Sequence, residues 1–354
     1  MIDTAEAVLR KFKPLVWKEI DKYLDQPPYP RQFNIPQANK SDRDFHWRLV
    51  REYPQRQGKY LRPILVLLSG LSMGANIGKL LKTATAMQLS EEWLLIHDDI
   101  EDGSLHRRGK PTLHRQYNPE LAINAGDTIH VIMWKVLLDN QKTLGSTLAN
   151  KISQEFYTIL SRTTLGQTVE INWAKSNYLD FDENGWFVVC DGKTSYYTIA
   201  GPLRLGAIIA GASQKQLDQI TDYGMYLGRC FQIMDDILDL TSDFAGLKKQ
   251  MANDIYEGKR SLILGHVFRH SSPAEKVRLT AIMAKDRTKK TAVEVKWVLS
   301  LIREKGSIEA ARQIAIKNKV QAEEIFKSRL KFMSRQPHRQ YLEILADFIL
   351  NRDH

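Results

Sequence analysis

The sequence is poor in cysteine, and this excludes several classes of protein. Only Cys190 and Cys230 occur among its 354 residues. Two cysteines are too few for a disulfide framework or a cysteine-rich zinc site, and such low usage fits a reducing cytosol. We therefore expect a cytoplasmic protein that buries both cysteines as small apolar residues.

The sequence also lacks a long apolar run. Its most apolar stretch, residues 64–75, is interrupted by two glycines and is shorter than the roughly 20 residues that span a bilayer. Near the N-terminus, Lys11, Lys13 and Lys18 lie among apolar residues at helical spacing, without a small-residue cleavage site. These features predict an amphipathic N-terminal helix, and neither a signal peptide nor a transmembrane segment.

Dense basic runs and zinc-finger spacings are missing as well, although the formal net charge is +10. A basic chain can bind nucleic acid, an anionic membrane surface or small polyanions. Here the positive residues are scattered along predicted helices or lie beside acidic clusters. This distribution favours anionic small molecules and no nucleic acid, with non-specific nucleic-acid binding as the alternative.

Alternating β-type patterns are nearly absent, whereas apolar residues recur at helical spacing along most of the chain. We predict an all-α protein, a single-domain multi-helix bundle over residues 1–354 with a central active-site cavity. Residues 1–42 would form an N-terminal helix and a proline-rich loop, and residues 43–354 the catalytic helical bundle. The predicted helices span residues 4–24, 43–55, 60–72, 76–102, 119–140, 147–173, 183–199, 203–211, 214–241, 259–269, 291–303, 307–331 and 336–350.

Two acidic clusters, residues 98–102 and 235–239, each end an apolar helical stretch and are followed by basic residues. In both, the first and last aspartates are four residues apart, which places them on one helix face, about 5.4 Å apart. Gly103 would end the first helix, so its carboxylates oppose the helix dipole and repel one another. Such clustered carboxylates suit Mg²⁺ together with a diphosphate. The alternative is a solvated acidic surface, which the presence of two similar clusters disfavours.

The residues around these clusters resemble a known family. Residues 95–102 with 107–112 are similar to the first aspartate-rich motif of trans-isoprenyl diphosphate synthases, the polyprenyl synthetases, and residues 231–239 resemble the second. The resemblance continues, in family order and spacing, through residues 58–63, Gly166, Gln167, Glu170, Lys193, Thr194, Asp243, Asp254, Ile255 and 258–260. It is closest to the short-chain geranylgeranyl and farnesyl diphosphate synthases, and it implies the isoprenoid-synthase type of helical bundle.

Such enzymes join isopentenyl diphosphate, head to tail, to an allylic diphosphate and release pyrophosphate. The resemblance implies that Mg²⁺ neutralises the leaving diphosphate as the allylic bond breaks. Three ions are expected, two held by Asp98 and Asp102 and the third by Asp235. Further support would come through bound water from Asp99, Asp236 and Asp239, and the same diphosphate would receive positive charge from Arg107, Lys193 and Lys249.

Isopentenyl diphosphate needs a cationic pocket without metal, and the resemblance assigns this pocket to Lys59, Arg62 and Arg108. The resemblance also implies that Thr194 and Gln232 line the path of the allylic cation, with Tyr197 as a further candidate. Gln167 and Lys259 complete the implied substrate-binding set.

Two features depart from the family pattern: the loop of residues 248–254, which contains Lys249, lacks the usual glycines, and a glutamate replaces a usual substrate contact. Glu91 stands seven positions before Asp98, where the family usually has a His or Gln in contact with isopentenyl diphosphate. An ionised carboxylate would repel a diphosphate. Glu91 is therefore protonated, pairs with a neighbouring Arg or Lys, or turns away from the site.

Product length in this family depends on residues about one helical turn before the first cluster. Trp93 lies five positions before Asp98, and Leu94 lies four positions before it. A large, stiff Trp at that depth would limit the tunnel, so we predict a short product, geranylgeranyl diphosphate. If Trp93 only packs in the core, a farnesyl or longer-chain product is the alternative.

Other functions share some of these features. A class I terpene cyclase has the same type of fold and first cluster, but normally an Asn-Ser-Glu type second metal motif. A non-catalytic partner subunit of another synthase typically loses one cluster, and both are intact here. A di-iron bundle would need Glu-x-x-His pairs, which the sequence lacks. Because the family generally forms homodimers, we expect a homodimer.

Overall fold

The computed structural model describes residues 4–29, 32, 35–241 and 252–350, and it confirms the all-α class. Two-residue strands β1 (His106–Arg107) and β2 (Lys110–Pro111) pair antiparallel, and a π-helix spans Asp191–Ala200. Short 3₁₀ turns lie at Gln37–Asn39 and Arg287–Lys289. The α-helices are α1 (Ala5–Asp21), α2 (Lys40–Arg56), α3 (Leu61–Ser72), α4 (Ile77–Glu101), α5 (Leu113–Gln116), α6 (Pro119–Asp139), α7 (Gln141–Leu144), α8 (Ser146–Lys175), α9 (Glu183–Cys190), α10 (Gly201–Ile209), α11 (Gln214–Thr241), α12 (Asn253–Glu257), α13 (Leu262–Arg269), α14 (Pro273–Met283), α15 (Ala292–Glu304), α16 (Ser307–Ser328) and α17 (His338–Leu350).

The chain divides into two compact units. Unit 1 comprises Met1–Gln154, Leu205–Ala212 and Arg335–Leu342. Unit 2 comprises Glu155–Arg204, Ser213–Ser334 and Glu343–His354. The first acidic cluster therefore belongs to unit 1 and the second to unit 2. The single domain stays a prediction.

In unit 1, α4 packs against α1, α3 and α6. Its buried side chains include Leu80, Met87 and Leu89, each with no exposed surface. Burying a side chain of this size stabilises the fold by about 1.5–3 kcal/mol. Helix α3 approaches α4 closely at Gly70, where a Cβ atom would lie 2.4 Å from a methyl group of Leu80. This packing fixes the position of α4, the helix that carries the first acidic cluster.

The end of α4 confirms the predicted role of Gly103. Its φ of +62° is left-handed, and its amide donates to the Ile100 carbonyl. The Ser104 amide donates to the Asp99 carbonyl at 2.9 Å. These two bonds form a Schellman motif, which ends the helix within the acidic cluster and satisfies its last carbonyl groups.

In unit 2, α11 packs against the π-helix and α16. Gly224 and Gly228, one turn apart on α11, permit close backbone contact. A Cβ atom on Gly224 would lie 2.5 Å from the Ala200 Cα, and one on Gly228 would lie 2.5 Å from the Ser195 Cα. The contact therefore brings the second acidic cluster's helix directly against the π-helix.

The helices differ from the predictions in several places. Helix α2 begins three residues before its predicted start, α13 begins three residues after it, and α1 and α16 end three residues early. Helices α5, α7, α12 and α14 were not predicted. Helix α14 begins with a capping box between Ser272 and Glu275, a sequence signal that could have identified it. The π-helix lies in a region where we predicted one continuous α-helix, because apolar periodicity does not distinguish the two patterns of hydrogen bonds.

One helical stretch in the described part of the chain, Pro119–Leu144, is long and apolar enough to cross a membrane. A single such stretch is weak evidence, since a core helix of a water-soluble protein passes the same test.

Candidate active site

The first acidic cluster has one buried carboxylate beside three that solvent can reach, of which Glu101 is exposed. Asp98 and Asp102 are half-buried, whereas Asp99 is fully buried. Asp99 accepts hydrogen bonds from the Tyr53 hydroxyl at 2.6 Å and from Arg107 Nε at 3.0 Å. Burial and the Asp99 charge raise the pKa of Tyr53, so this phenol stays a donor. Asp99 thus positions Arg107, and its support of a metal through bound water stays a prediction.

The β1–β2 hairpin directs two adjacent arginines to different partners. Its turn residues, Arg108 and Gly109, have φ values of +53° and +77°. Two left-handed residues suit a tight hairpin turn, although this conformation is uncommon for arginine. Arg107 lies 3.6 Å from Asp98, whereas Arg108 Nη1 lies 2.8 Å from Glu92. The hairpin therefore separates the two guanidinium groups that follow each other in sequence.

Arg62 and Arg108 meet around two glutamates of α4. Glu92 is fully buried and accepts hydrogen bonds from Arg108 Nη1 and, at 2.7 Å, from Gln88 Nε2. Glu91 lies 3.2 Å from Arg62 Nη1 and 3.7 Å from Arg108 Nη2. Of the three alternatives for Glu91, the structure selects ion pairing with neighbouring arginines.

Residues from α1 and the α2–α3 connection complete the surroundings of Arg108. Gly58 leaves room for the guanidinium, since a Cβ atom there would lie 2.8 Å from Nη2. The Lys13 ammonium lies 5.4 Å from the centroid of the Tyr60 ring, and burial together with the Arg108 charge lowers its pKa. Lys59 is exposed. No local sequence pattern indicates that Lys13 approaches this cluster.

In unit 2, a chain of hydrogen bonds reaches the second acidic cluster. Thr194 Oγ1 donates to Gln232 Oε1 at 2.9 Å, and Gln232 Nε2 donates to Asp236 Oδ1 at 2.8 Å. Asp236 is buried, whereas Asp235 is exposed. Burial and the charges of Asp254 and Asp235 raise the pKa of Asp236 well above its usual range. Two of the residues predicted to line the cation's path, Thr194 and Gln232, are thus linked directly to the cluster.

Residues after the cluster fold back onto it. The Asp254 amide donates to Asp239 Oδ2 at 3.0 Å, and Lys259 Nζ lies 3.4 Å from Asp254 and 3.3 Å from Glu257. Burial is the main cause of the raised pKa of Asp254. Asp236, Asp254 and Lys259 line a small recess. The predicted residues Lys249 and Asp243 lie outside the described residues.

Lys193 is the remaining predicted cation of unit 2. It lies in the π-helix and forms an ion pair with Glu170 of α8. Gly166 lets the backbones of α8 and the π-helix approach closely, because a Cβ atom there would lie 2.5 Å from the backbone nitrogen of Lys193. Gln167 is half-buried beside it on α8. Because π-helical segments are rare and often mark functional sites, the π-helix itself is a feature of the candidate site.

Trp93, the predicted chain-length residue, packs against α6. Its ring centroid lies 4.5 Å from that of His130, and Trp134 Nε1 donates to His130 Nε2 at 2.9 Å. Burial lowers the pKa of His130, which favours the neutral ring that accepts this bond. Leu94 is half-buried. Sequence reasoning missed His130, for which the spacing of four from Trp134 was the only signal.

We expect Gly228→Ala to disturb the site through the helix contact. The added methyl group would meet the Ser195 backbone, so α11 must move away from the π-helix, at a cost of about 1–3 kcal/mol. This shift would break the bond between Thr194 and Gln232 and lower kcat. Thermal melting and steady-state kinetics measure both effects.

Gly185→Ala is the matched control, because a Cβ atom on Gly185 meets only ordinary contacts of 3.4 Å or more. It should leave kcat unchanged. Equal kinetics in the two variants would contradict a role for the close contact at Gly228.

The donor set of the two clusters fits a divalent cation. Asp98, Asp102 and Asp235 offer carboxylate oxygens that solvent reaches, next to the buried carboxyls of Asp99 and Asp236. Within the described ranges, no group of three or more His, Cys, Asp or Glu side chains could hold a metal ion. Mg²⁺ usually takes one or two carboxylates per ion, with water and phosphate completing the octahedron.

Comparisons with known proteins identify the family of this chain. The family model described as polyprenyl synthetase matches residues 46–302, which is more than half of the chain. The chain belongs to the polyprenyl synthetase family. It is therefore a prenyltransferase.

Relatives within this family differ in the products that their names give. A short chain isoprenyl diphosphate synthase of Methanothermobacter thermautotrophicus is 30% identical, over 84% of this chain and 87% of the relative. A geranylfarnesyl diphosphate synthase of Natronomonas pharaonis is 28% identical, over 84% and 87%. An octaprenyl diphosphate synthase of Haemophilus influenzae is 27% identical, over 83% and 85%. Membership of the polyprenyl synthetase family thus leaves product length open.

Solved polyprenyl synthetase structures share the fold. A geranylgeranyl pyrophosphate synthetase of Pyrococcus horikoshii has a TM-score of 0.82 at 26% identity and covers 98% of this chain and 99% of its own. A geranylgeranyl pyrophosphate synthase of Corynebacterium glutamicum, complexed with isoprenyl diphosphate and magnesium, has a TM-score of 0.83 at 24% identity, over 97% and 99%.

Proposed function

We propose that this enzyme condenses isopentenyl diphosphate with an allylic diphosphate, head to tail and in trans, to make geranylgeranyl diphosphate. The observation that carries the proposal is the second aspartate cluster, with the charge-crowded carboxyls Asp236 and Asp254. A second cluster of this type favours chain elongation over cyclisation. The names of the relatives, which are isoprenyl diphosphate synthases, support the same reaction class.

The proposed reaction would use three Mg²⁺ ions, two held by Asp98 and Asp102 and the third by Asp235. They would supply positive charge for the diphosphate, which leaves the allylic carbon with the electron pair of the C–O bond. Arg107 adds a fixed positive charge beside Asp98, because Asp99 and Tyr53 hold its guanidinium in place. Lys193 and Lys249 would supply further charge to the same diphosphate.

Lys59, Arg62 and Arg108 would bind the diphosphate of isopentenyl diphosphate without metal. The double bond of this substrate then attacks the allylic cation, a C–C bond forms, and a proton leaves to the departing pyrophosphate. Thr194 and Gln232 would orient dipoles toward the cation, and Gln167 and Lys259 would complete the substrate contacts. This scheme needs no His or Glu base.

The deciding experiment combines labelled isopentenyl diphosphate with dimethylallyl, geranyl or farnesyl diphosphate, in Mg²⁺ or in EDTA, and sizes the products. The proposal expects a C20 diphosphate as the main product and none in EDTA. A cyclase would release a hydrocarbon or alcohol from an allylic diphosphate alone. A non-catalytic subunit would make no product.

We also propose that the enzyme is a cytoplasmic homodimer. Family membership supports this assembly, and light scattering after size-exclusion chromatography measures it directly. A mass near that of one 354-residue chain would contradict the dimer.

We expect Trp93→Ala to lengthen the product beyond C20. Removing the indole from its place against His130 would deepen the space near the end of α4. Chromatography of the dephosphorylated products gives the length distribution. Trp297→Ala on α15 is the control for the loss of a Trp, and it should leave the distribution unchanged. An unchanged distribution for Trp93→Ala as well would mean that Trp93 only packs in the core.

A further inference from the structure

The pocket around Arg62 and Arg108 is unusual because two glutamates already form ion pairs with its arginines. The two guanidinium groups and the carboxylates of Glu91 and Glu92 have no net charge between them. A diphosphate pocket needs an excess of positive charge. Lys59 adds a further positive charge to this pocket, and displacement of one of the two carboxylates would increase its excess of positive charge.

Glu92 is the fixed partner of Arg108. Its side chain has no exposed surface, and its two oxygens accept hydrogen bonds from Gln88 Nε2 and Arg108 Nη1. Arg108 Nη1 also donates to the Tyr53 carbonyl at 3.1 Å. One edge of the guanidinium is thus anchored inside unit 1 by the Glu92 carboxylate and the Tyr53 carbonyl.

Glu91 is held more loosely. Its distances to the arginines, 3.2 and 3.7 Å, belong to ion pairs, and neither pair forms a hydrogen bond. Arg108 Nη2 and Glu91 Oε2 are buried without a hydrogen-bond partner among the described residues. The second edge of Arg108 therefore offers a buried donor next to a carboxylate that does not satisfy it. A phosphate oxygen that accepted from this donor would recover a buried, charge-assisted bond.

We propose that the Glu91 carboxylate occupies the diphosphate position of this pocket in the free enzyme and is displaced when isopentenyl diphosphate binds. Glu91 is then an internal competitor that sets the affinity for this substrate, and Glu92 is the positioning residue that keeps Arg108 in place. The inference deepens the proposed function and rests on it, because it concerns the pocket assigned above to isopentenyl diphosphate.

The kinetic test uses Glu91→Gln and Glu91→His, which remove the negative charge in two different shapes. Both variants should lower KM for isopentenyl diphosphate about tenfold, equivalent to about 1.4 kcal/mol, and leave KM for the allylic substrate unchanged. The matched control is Glu19→Gln on α1, which removes another carboxylate of unit 1 that is only 8% exposed and pairs with Lys22 and Lys82. This control should leave both KM values unchanged.

A binding test keeps the inference separate from turnover. Calorimetric titration with inorganic pyrophosphate in EDTA should show tighter binding to Glu91→Gln than to the unmodified enzyme. In Glu91→Gln, the Arg62 guanidinium no longer pairs with a carboxylate at position 91. Because the tighter binding of pyrophosphate requires this free cation, adding Arg62→Met to Glu91→Gln should abolish the increase in affinity.

The outcomes distinguish the two proposals. An unchanged or higher KM for isopentenyl diphosphate in both Glu91 variants, in an active enzyme, overturns the internal-competitor role and leaves the proposed function standing. Tighter pyrophosphate binding in Glu91→Gln, without any prenyl product from the unmodified enzyme, overturns the proposed function and supports the displaced carboxylate. Equal pyrophosphate affinity in the two proteins overturns the inference.

Discussion

Replacing Asp98 or Asp235 by Asn should reduce kcat by about 10²–10³ or more while leaving the fold intact. Both carboxylates reach solvent, so an amide of the same shape leaves no buried charge without a partner. What is lost is an oxygen ligand for Mg²⁺ and, with it, stabilisation of the leaving diphosphate in the transition state. Steady-state kinetics with Mg²⁺ titration measure the loss, and circular dichroism with thermal melting measures the fold.

Asp218→Asn is the control for this pair of variants. Asp218 is an exposed aspartate near the start of α11, the helix whose other end carries Asp235. Its replacement should not change kcat or the dependence on Mg²⁺. If Asp98→Asn and Asp235→Asn both kept full Mg²⁺-dependent activity, the assignment of the two clusters as metal ligands would be wrong.

Arg107→Met should lower both activity and stability. Among the described residues, the side chains of Tyr53 and Arg107 donate hydrogen bonds to the fully buried Asp99 carboxylate. Without the guanidinium, the bond from the Tyr53 hydroxyl is the one that remains. Breaking a buried ion pair from one side typically costs about 3–5 kcal/mol. Activity should fall as well, because a fixed positive charge beside Asp98 is lost. Chemical denaturation gives the first quantity and kcat the second.

The double variant Arg107→Met/Asp99→Asn separates these two effects. Asparagine at position 99 removes the unpaired buried charge and keeps an acceptor for the Tyr53 hydroxyl, so most of the lost stability should return. Activity should not return, since the cation is still missing. Recovery of activity together with stability would show that Arg107 acts only by supporting the fold.

Several features of the site were accessible from local sequence. The four-residue spacing of Asp98 and Asp102, and the end of α4 at Gly103, depend only on helix geometry and on the freedom of glycine to adopt a positive φ. The same holds for α11, whose predicted span of 214–241 agrees with Gln214–Thr241. Helix α14 was not predicted although its capping box is local, because its apolar residues are only weakly segregated to one helix face.

The partners of the charged residues were not accessible in the same way. The bond from Tyr53 to Asp99 joins residues 46 positions apart, and the pairing of Glu91 with Arg62 joins α4 to α3. Both depend on how whole helices pack. The π-helix was hidden for a related reason, since the close contact of α11 at Gly228 is a tertiary feature that the sequence pattern does not report.

By itself, then, the sequence determined the helical class, the two acidic clusters at helix ends and the family resemblance, because each follows from short-range spacing and residue type. Only the tertiary structure decided which carboxylates remain accessible to a cation and which are used internally. Asp98 reaches solvent while Asp99 holds Arg107, and Glu91 lies against two arginines while Glu92 anchors one of them. The physical reason is that burial and ion pairing arise from packing between distant segments, which assigns different roles to neighbouring residues of the same type.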